Sequence, residues 1–143
     1  IEDYPATGRT WDDFLRDLPA QFHFGPVFYC HAGIRPGVPL GAQRENDLVW
    51  IREEFLHAQG DHGALIVHGH TPVQTVSHCG NRLNLDTGAA YGGPLSVVVI
   101  EGRSVFELTP EGRRPVRSGR AAQAGRPNGL LQRVRSRFRS GNL

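Results

Sequence analysis

The sequence predicts an α/β fold, and three observations carry the prediction. Apolar runs of strand length, "VFYC", "ALIVHG", "RLNL", "LSVVVIEG" and "SVFELT", are separated by clusters of Gly, Pro, Asn and Asp, the punctuation of short buried strands. Two other stretches carry helix signals, "TWDDFLRDLP" and "ENDLVWIREEFLHAQG". No apolar run approaches the roughly 18 residues of a membrane-spanning helix.

In chain order, Thr10 is placed to cap the first helix. Asp12 and Asp13 suit the positive end of its dipole, and Pro19 stops it. "VFYCHAG" reads as a strand and "IRPGVPLGAQ" as a loop, broken by Pro36, Gly37, Pro39 and Gly41. The second helix is expected to start near Asn46 or Asp47, to run to Gln59 and to close at Gly60. "GDHG", residues 60–63, has the composition of a metal motif. It lies between a helix end and a strand start, where Gly, Asp and His serve a turn. "ALIVHGH", "RLNLDTG", "LSVVVIEG" and "SVFELT" complete the strands. Beyond Thr109 the pattern dissolves into Gly, Pro, Ser and Arg. One domain over residues 1–109 and an Arg-rich, disordered tail over 110–143 are expected, with "LLQRVRSRF" as a short basic amphipathic helix.

Hydrophobic residues make up 38% of the 143, and mean hydropathy is −0.37, as for a soluble globular core. Two cysteines give no disulfide framework, which points to a reducing, cytoplasmic setting. Charge is uneven. Residues 117–143 hold seven Arg and no acid, whereas the other 116 residues hold nine Arg and 14 acids, a net of −5. Such a tail either binds acidic partners or is a solvated end. The solvated end is the expectation, so nucleic acid is not an expected partner, nor is a membrane. The chain starts at Ile1 and contains no Met, as expected of a processed, trimmed or partial sequence.

Two histidines follow strand-like runs: His31 after "VFYC" and His70 after "ALIVHG". Side chains at strand ends are held rigidly and converge if the strands are neighbours. Neutral imidazole is the commonest metal ligand, but either histidine alone is also an ordinary turn residue. His68 alternates with His70 and is a candidate neighbour. Asp86 ends "NLDTG", where it either orients an imidazole or starts a turn. Arg52 is the third candidate. On an unbroken helix its neighbours three and four away are Leu48, Val49, Phe55 and Leu56, which sets it in an apolar stripe. A guanidinium buried there needs an anion. It then holds a phosphate through two parallel hydrogen bonds, snorkels to water, or pairs with a distant acid such as Asp86.

"YCHAGIRPGVPL", "DLVWIREEFL", "IVHGHTPV" and "NRLNLDTGAAYGGPLSVVVIEG" resemble, in that order, the C-terminal half of bacterial serine/threonine phosphoprotein phosphatases of the calcineurin-like metallophosphoesterase superfamily. The resemblance covers roughly Phe22 to Gly102. It implies the C-terminal half of an α/β sandwich, a mixed β-sheet with flanking helices. It implies that His31 and His70 bind the same metal ion and that Arg52 contacts the substrate phosphate; Asp86 and His68 stand beside them only as the neighbours read from the strand pattern. The family's N-terminal motifs, GDxHG, GDxxDRG and GNHE, are not in this sequence. They carry the remaining metal ligands and the histidine general acid, so no catalytic acid is assigned here.

The implied chemistry is hydrolysis of phosphomonoesters, phosphoserine or phosphothreonine in proteins first, by water activated between two divalent ions. The resemblance implies manganese or iron, or zinc, with at most one partial site in this chain and little activity by itself. Two alternatives are carried forward: a hydrolase of dinucleoside polyphosphates of the same superfamily, and a non-catalytic remnant whose basic tail binds acidic partners.

Overall fold

Alternation of buried side chains explains how the sheet forms. In β2 (Val27–Cys30) and β3 (Leu65–His68), Phe28 and Ile66 are buried toward one face, and Val27 and Val67 toward the other. Strands apolar on both faces sit at the centre of a covered sheet. The computed structural model describes residues 10–119, and within them β2 and β3 run parallel, Phe28 opposite Ile66. β5 (Arg82–Asn84) continues the parallel set beside β3. β1 (Gln21–Phe24) pairs antiparallel with β2 on one edge, and the two-residue β4 (Ser77–His78) with β5 on the other. The result is a mixed five-stranded sheet of order β1-β2-β3-β5-β4. β6 (Val98–Glu101), β7 (Ser104–Thr109) and β8 (Gly112–Pro115) form a second, antiparallel sheet.

Two helices flank the first sheet, α2 (Glu45–Trp50) and α3 (Glu53–Leu56). Leu48, Ile51 and Phe55 from this segment close over Phe28, Ile34 and Ile66. On the other face Val105 of β7, with Val98 and Ile100 of β6, packs against Val27, Val67 and Leu83. The architecture is therefore the expected α/β arrangement, a mixed sheet with flanking helices. Helix α1 (Trp11–Arg16) also forms where its cap predicts. The Thr10 hydroxyl accepts from Asp13 N at 3.2 Å, and the Asp13 carboxylate accepts from Thr10 N at 3.0 Å, a reciprocal box. The "GDHG" segment is a turn: Asp61 Oδ1 accepts from Gly63 N at 2.8 Å, and Gly63 has φ +79°.

Two expectations are corrected. The single helix to Gln59 is two short ones, because Ile51 is extended (φ −59°, ψ 144°) and Arg52 adopts φ −133°, ψ −99°. Packing wins over propensity here. The tail boundary also moves. β8 pairs Leu108 with Arg113 and Thr109 with Gly112, so ordered structure passes residue 110. Residues 1–9 and 120–143, including the "LLQRVRSRF" segment, lie outside the described residues. Among the described residues no helix is long and apolar enough to cross a membrane.

Candidate metal centre

Three parallel strands end side by side, and each delivers one candidate residue. β2 leads into His31, β3 into Gly69 and His70, and β5 into Asp86. The ladder runs on past the strands: Gly69 N donates to His31 O at 2.8 Å and Leu85 N to His68 O at 2.9 Å. Gly69 packs tightly on the third strand: a β-carbon there would lie 3.2 Å from that of Asp86.

His70 has φ +67°, the one non-glycine with positive φ among the described residues, and Thr71 N donates across it to Gly69 O at 2.7 Å. An i→i+2 bond around a positive φ is the rarer, strained γ-turn. Its neighbours hold it there. Val73 N donates to Asp86 O at 2.8 Å, and the buried Asn84 amide donates to Thr71 O at 2.9 Å. The turn brings His70 Nδ1 to 3.1 Å from His31 Nε2. Two nitrogens bound to one ion at about 2.0–2.1 Å stand roughly 3 Å apart, so the pair has the spacing of two ligands on one cation. One tautomer satisfies the same pair as an N–H···N hydrogen bond. His70 Nε2 is buried and finds no hydrogen-bond partner among the described residues. Burial, then the positive charge of Arg52, holds the His70 pKa below the ordinary histidine value, with Asp86 opposing. The shift favours the neutral ring, the form a ligand must take. No cluster of three or more His, Cys, Asp or Glu side chains suited to a metal occurs among the described residues. The two imidazoles therefore fit one ion as part of its ligand set.

His68 is buried against the Phe55 ring, 4.9 Å between centroids. One ring nitrogen lies 3.2 Å from Gly69 O, and burial lowers its pKa to about 4. Asp86 closes its own turn: its carboxylate accepts from Gly88 N at 2.9 Å. Arg52 is exposed rather than set in a buried stripe, because the helix breaks at that point. It has no carboxylate partner among the described residues, Asp86 included, yet it lies close enough to depress the His70 pKa.

The site rests on two further features, whose packing partners the sequence pattern did not show. Gly33 is one: a β-carbon there would lie 2.2 Å from Phe55 Cδ1, so the loop after His31 packs directly on that ring. Arg35 is the other. It forks onto the buried Asp47 at 2.9 and 2.6 Å and also pairs with Glu54. One guanidinium thus ties the His31 loop to α2 and α3, on either side of Arg52. Cys30, next in sequence to His31, is held in its thiol form. Burial pushes its thiol up to about 12, and it donates to Gly33 O at 3.3 Å.

No family model and no solved structure matches the chain. Two curated proteins do, both named bis(5'-nucleosyl)-tetraphosphatase PrpE (asymmetrical). The one from Anoxybacillus flavithermus is 48% identical over 47 residues, 33% of this chain and 18% of the relative. The one from Bacillus thuringiensis (strain Al Hakam) is 29% identical over 111 residues, 63% of this chain and 45% of the relative. This chain thus spans less than half the length of either relative, and its homology is to a part of each.

Proposed function

We propose that this chain is the phosphate-facing portion of a metal-dependent hydrolase of dinucleoside polyphosphates, within the metallophosphoesterase superfamily. The 3.1 Å approach of His31 Nε2 to His70 Nδ1, at the ends of adjacent parallel strands, is the observation that carries the metal part of this reading. The substrate part rests on the two relatives' names. They favour the dinucleotide over the phosphoprotein substrate that the sequence resemblance puts first.

His31 and His70 would hold one divalent ion, which when bound supplies Lewis-acid polarisation of the phosphoryl group and an acidified water. The chain's own groups do the rest. Burial favours the neutral form of His70. Arg52, exposed and without a carboxylate partner among the described residues, offers its fork to the phosphoryl oxygens. Arg35 fixes the two short helices between which Arg52 stands.

Substrate choice tests the proposal. With Mn2+ present, the full gene product is given diadenosine tetraphosphate or a phosphoserine peptide. Nucleotide products from the first, with little phosphate from the second, are expected. Preferential release of phosphate from the peptide would overturn the substrate class.

A further inference from the structure

The phosphoryl chemistry leaves the most conspicuous side chain of this site unused. Trp50 is 64% exposed, although burial of an indole is strongly favourable. Its ring meets that of His70 edge-on, 5.5 Å between centroids at 84°. The helix break decides what else it meets. In an unbroken helix, residues two apart point in different directions. Ile51 is extended instead and buried at 8% exposure, which turns the chain between Trp50 and Arg52 away from helical spacing. Trp50 and Arg52 both line one groove beside it. Asn46, one turn before Trp50 on α2, lines it too, and its exposed side-chain amide makes no hydrogen bond among the described residues. Of the acids at the groove, Asp47 and Glu54 pair with Arg35, and Glu53 Oε2 lies 3.5 Å from His57 Nε2, a contact that is ionic only when that imidazole is protonated.

An aromatic face, an amide and a guanidinium on one groove match the parts of a nucleotide. We infer that Trp50 is the stacking platform for a nucleobase whose phosphate lies on Arg52, with the Asn46 amide on the base edge. Every base has a π-face to stack, and a side-chain amide pairs well with the two-atom edge of adenine. The inference rests on the dinucleoside polyphosphate reading and names the residues that recognise the nucleoside.

The 143-residue chain with Trp11→Phe leaves Trp50 as its single tryptophan. Adenosine monophosphate should quench its fluorescence to saturation. Ribose 5-phosphate should compete without quenching. By calorimetry, Trp50→Ala should weaken the adenosine monophosphate complex roughly fivefold to hundredfold, the range of one base–aromatic stack, and leave inorganic phosphate affinity unchanged. Trp50→Phe, which keeps a ring, should retain part of the binding and guards against a folding defect. Asn46→Ala should narrow the preference for adenosine over uridine monophosphate. Unchanged nucleotide affinity in Trp50→Ala, with phosphate still bound, overturns the stacking role alone. An equal loss for nucleotide and phosphate makes Trp50 a support for Arg52 and also overturns it. Absence of quenching, as when another polypeptide covers the indole, overturns it too. If the wild-type chain binds neither phosphate nor nucleotide, the proposed function falls with it.

Discussion

Single residues at this site are under opposing demands, and the geometry decides which demand prevails. Gly33 is held to glycine by the Phe55 ring, since any β-carbon would sit 2.2 Å from it. Gly33→Ala should therefore cost about 1–3 kcal/mol, as overpacked cores do, and lower the melting temperature in thermal unfolding. His68 is the buried titrating group. The folded protein keeps it neutral down to about pH 4, whereas its ordinary pKa is 6.5. The unfolded chain takes up that proton first, so stability is full above pH 6.5 and falls as pH drops from 6.5 to 4, by on the order of 3 kcal/mol. Denaturant midpoints across that range should show the slope, and His68→Leu should flatten it. Arg52→Ala should weaken inorganic phosphate binding at least roughly tenfold, the worth of a charge-assisted pair of hydrogen bonds, with little change in folding because the residue is exposed. Unaltered phosphate affinity in that variant would remove Arg52 from the site.

At the level of elements, the decisive feature is the break between α2 and α3. Arg35 spans it, holding Asp47 on one side and Glu54 on the other. Arg35→Ala should lower phosphate affinity although Arg35 faces carboxylates rather than the phosphate, and Arg35→Lys should not restore it, because an ammonium has no fork. Full affinity in both variants would show that the clamp does not position Arg52. The break was not legible in the sequence. "WIREEF" contains neither Gly nor Pro, and its apolar spacing suits a helix, so the break comes from tertiary packing of Ile51 and Phe55. That is also why Arg52 reads as buried from its helical neighbours and is exposed in the fold. The strands β2 and β3 were legible because both their faces are apolar and turn residues follow. β8 was not: "GRRP" is exposed at all four positions and has no apolar alternation to find. His31 and His70 were legible as strand-end residues, but their 3.1 Å approach depends on the parallel register of β2 and β3 and on the turn at His70, which no local pattern encodes.

At the scale of the whole molecule, the site is a property of the sheet. Three parallel strands bring His31, His70 and Asp86 to one edge, the carboxyl end where ligands bind in open α/β sheets. The helices and the second sheet hold that edge from both faces. Val105 is the buried contact of the second sheet with Val67 and Leu83. Val105→Ala should cost about 2 kcal/mol in chemical denaturation through lost burial and a residual cavity, without altering metal affinity. The central claim is that His31 and His70 share one divalent ion, and calorimetric titration of Mn2+ tests it most directly. The wild-type chain should bind one ion through this pair. His31→Ala and His70→Ala should each lose it, and the double variant should be little worse than either single one, because both act on one ion. Independent, additive losses, or binding that survives either substitution, would contradict the claim.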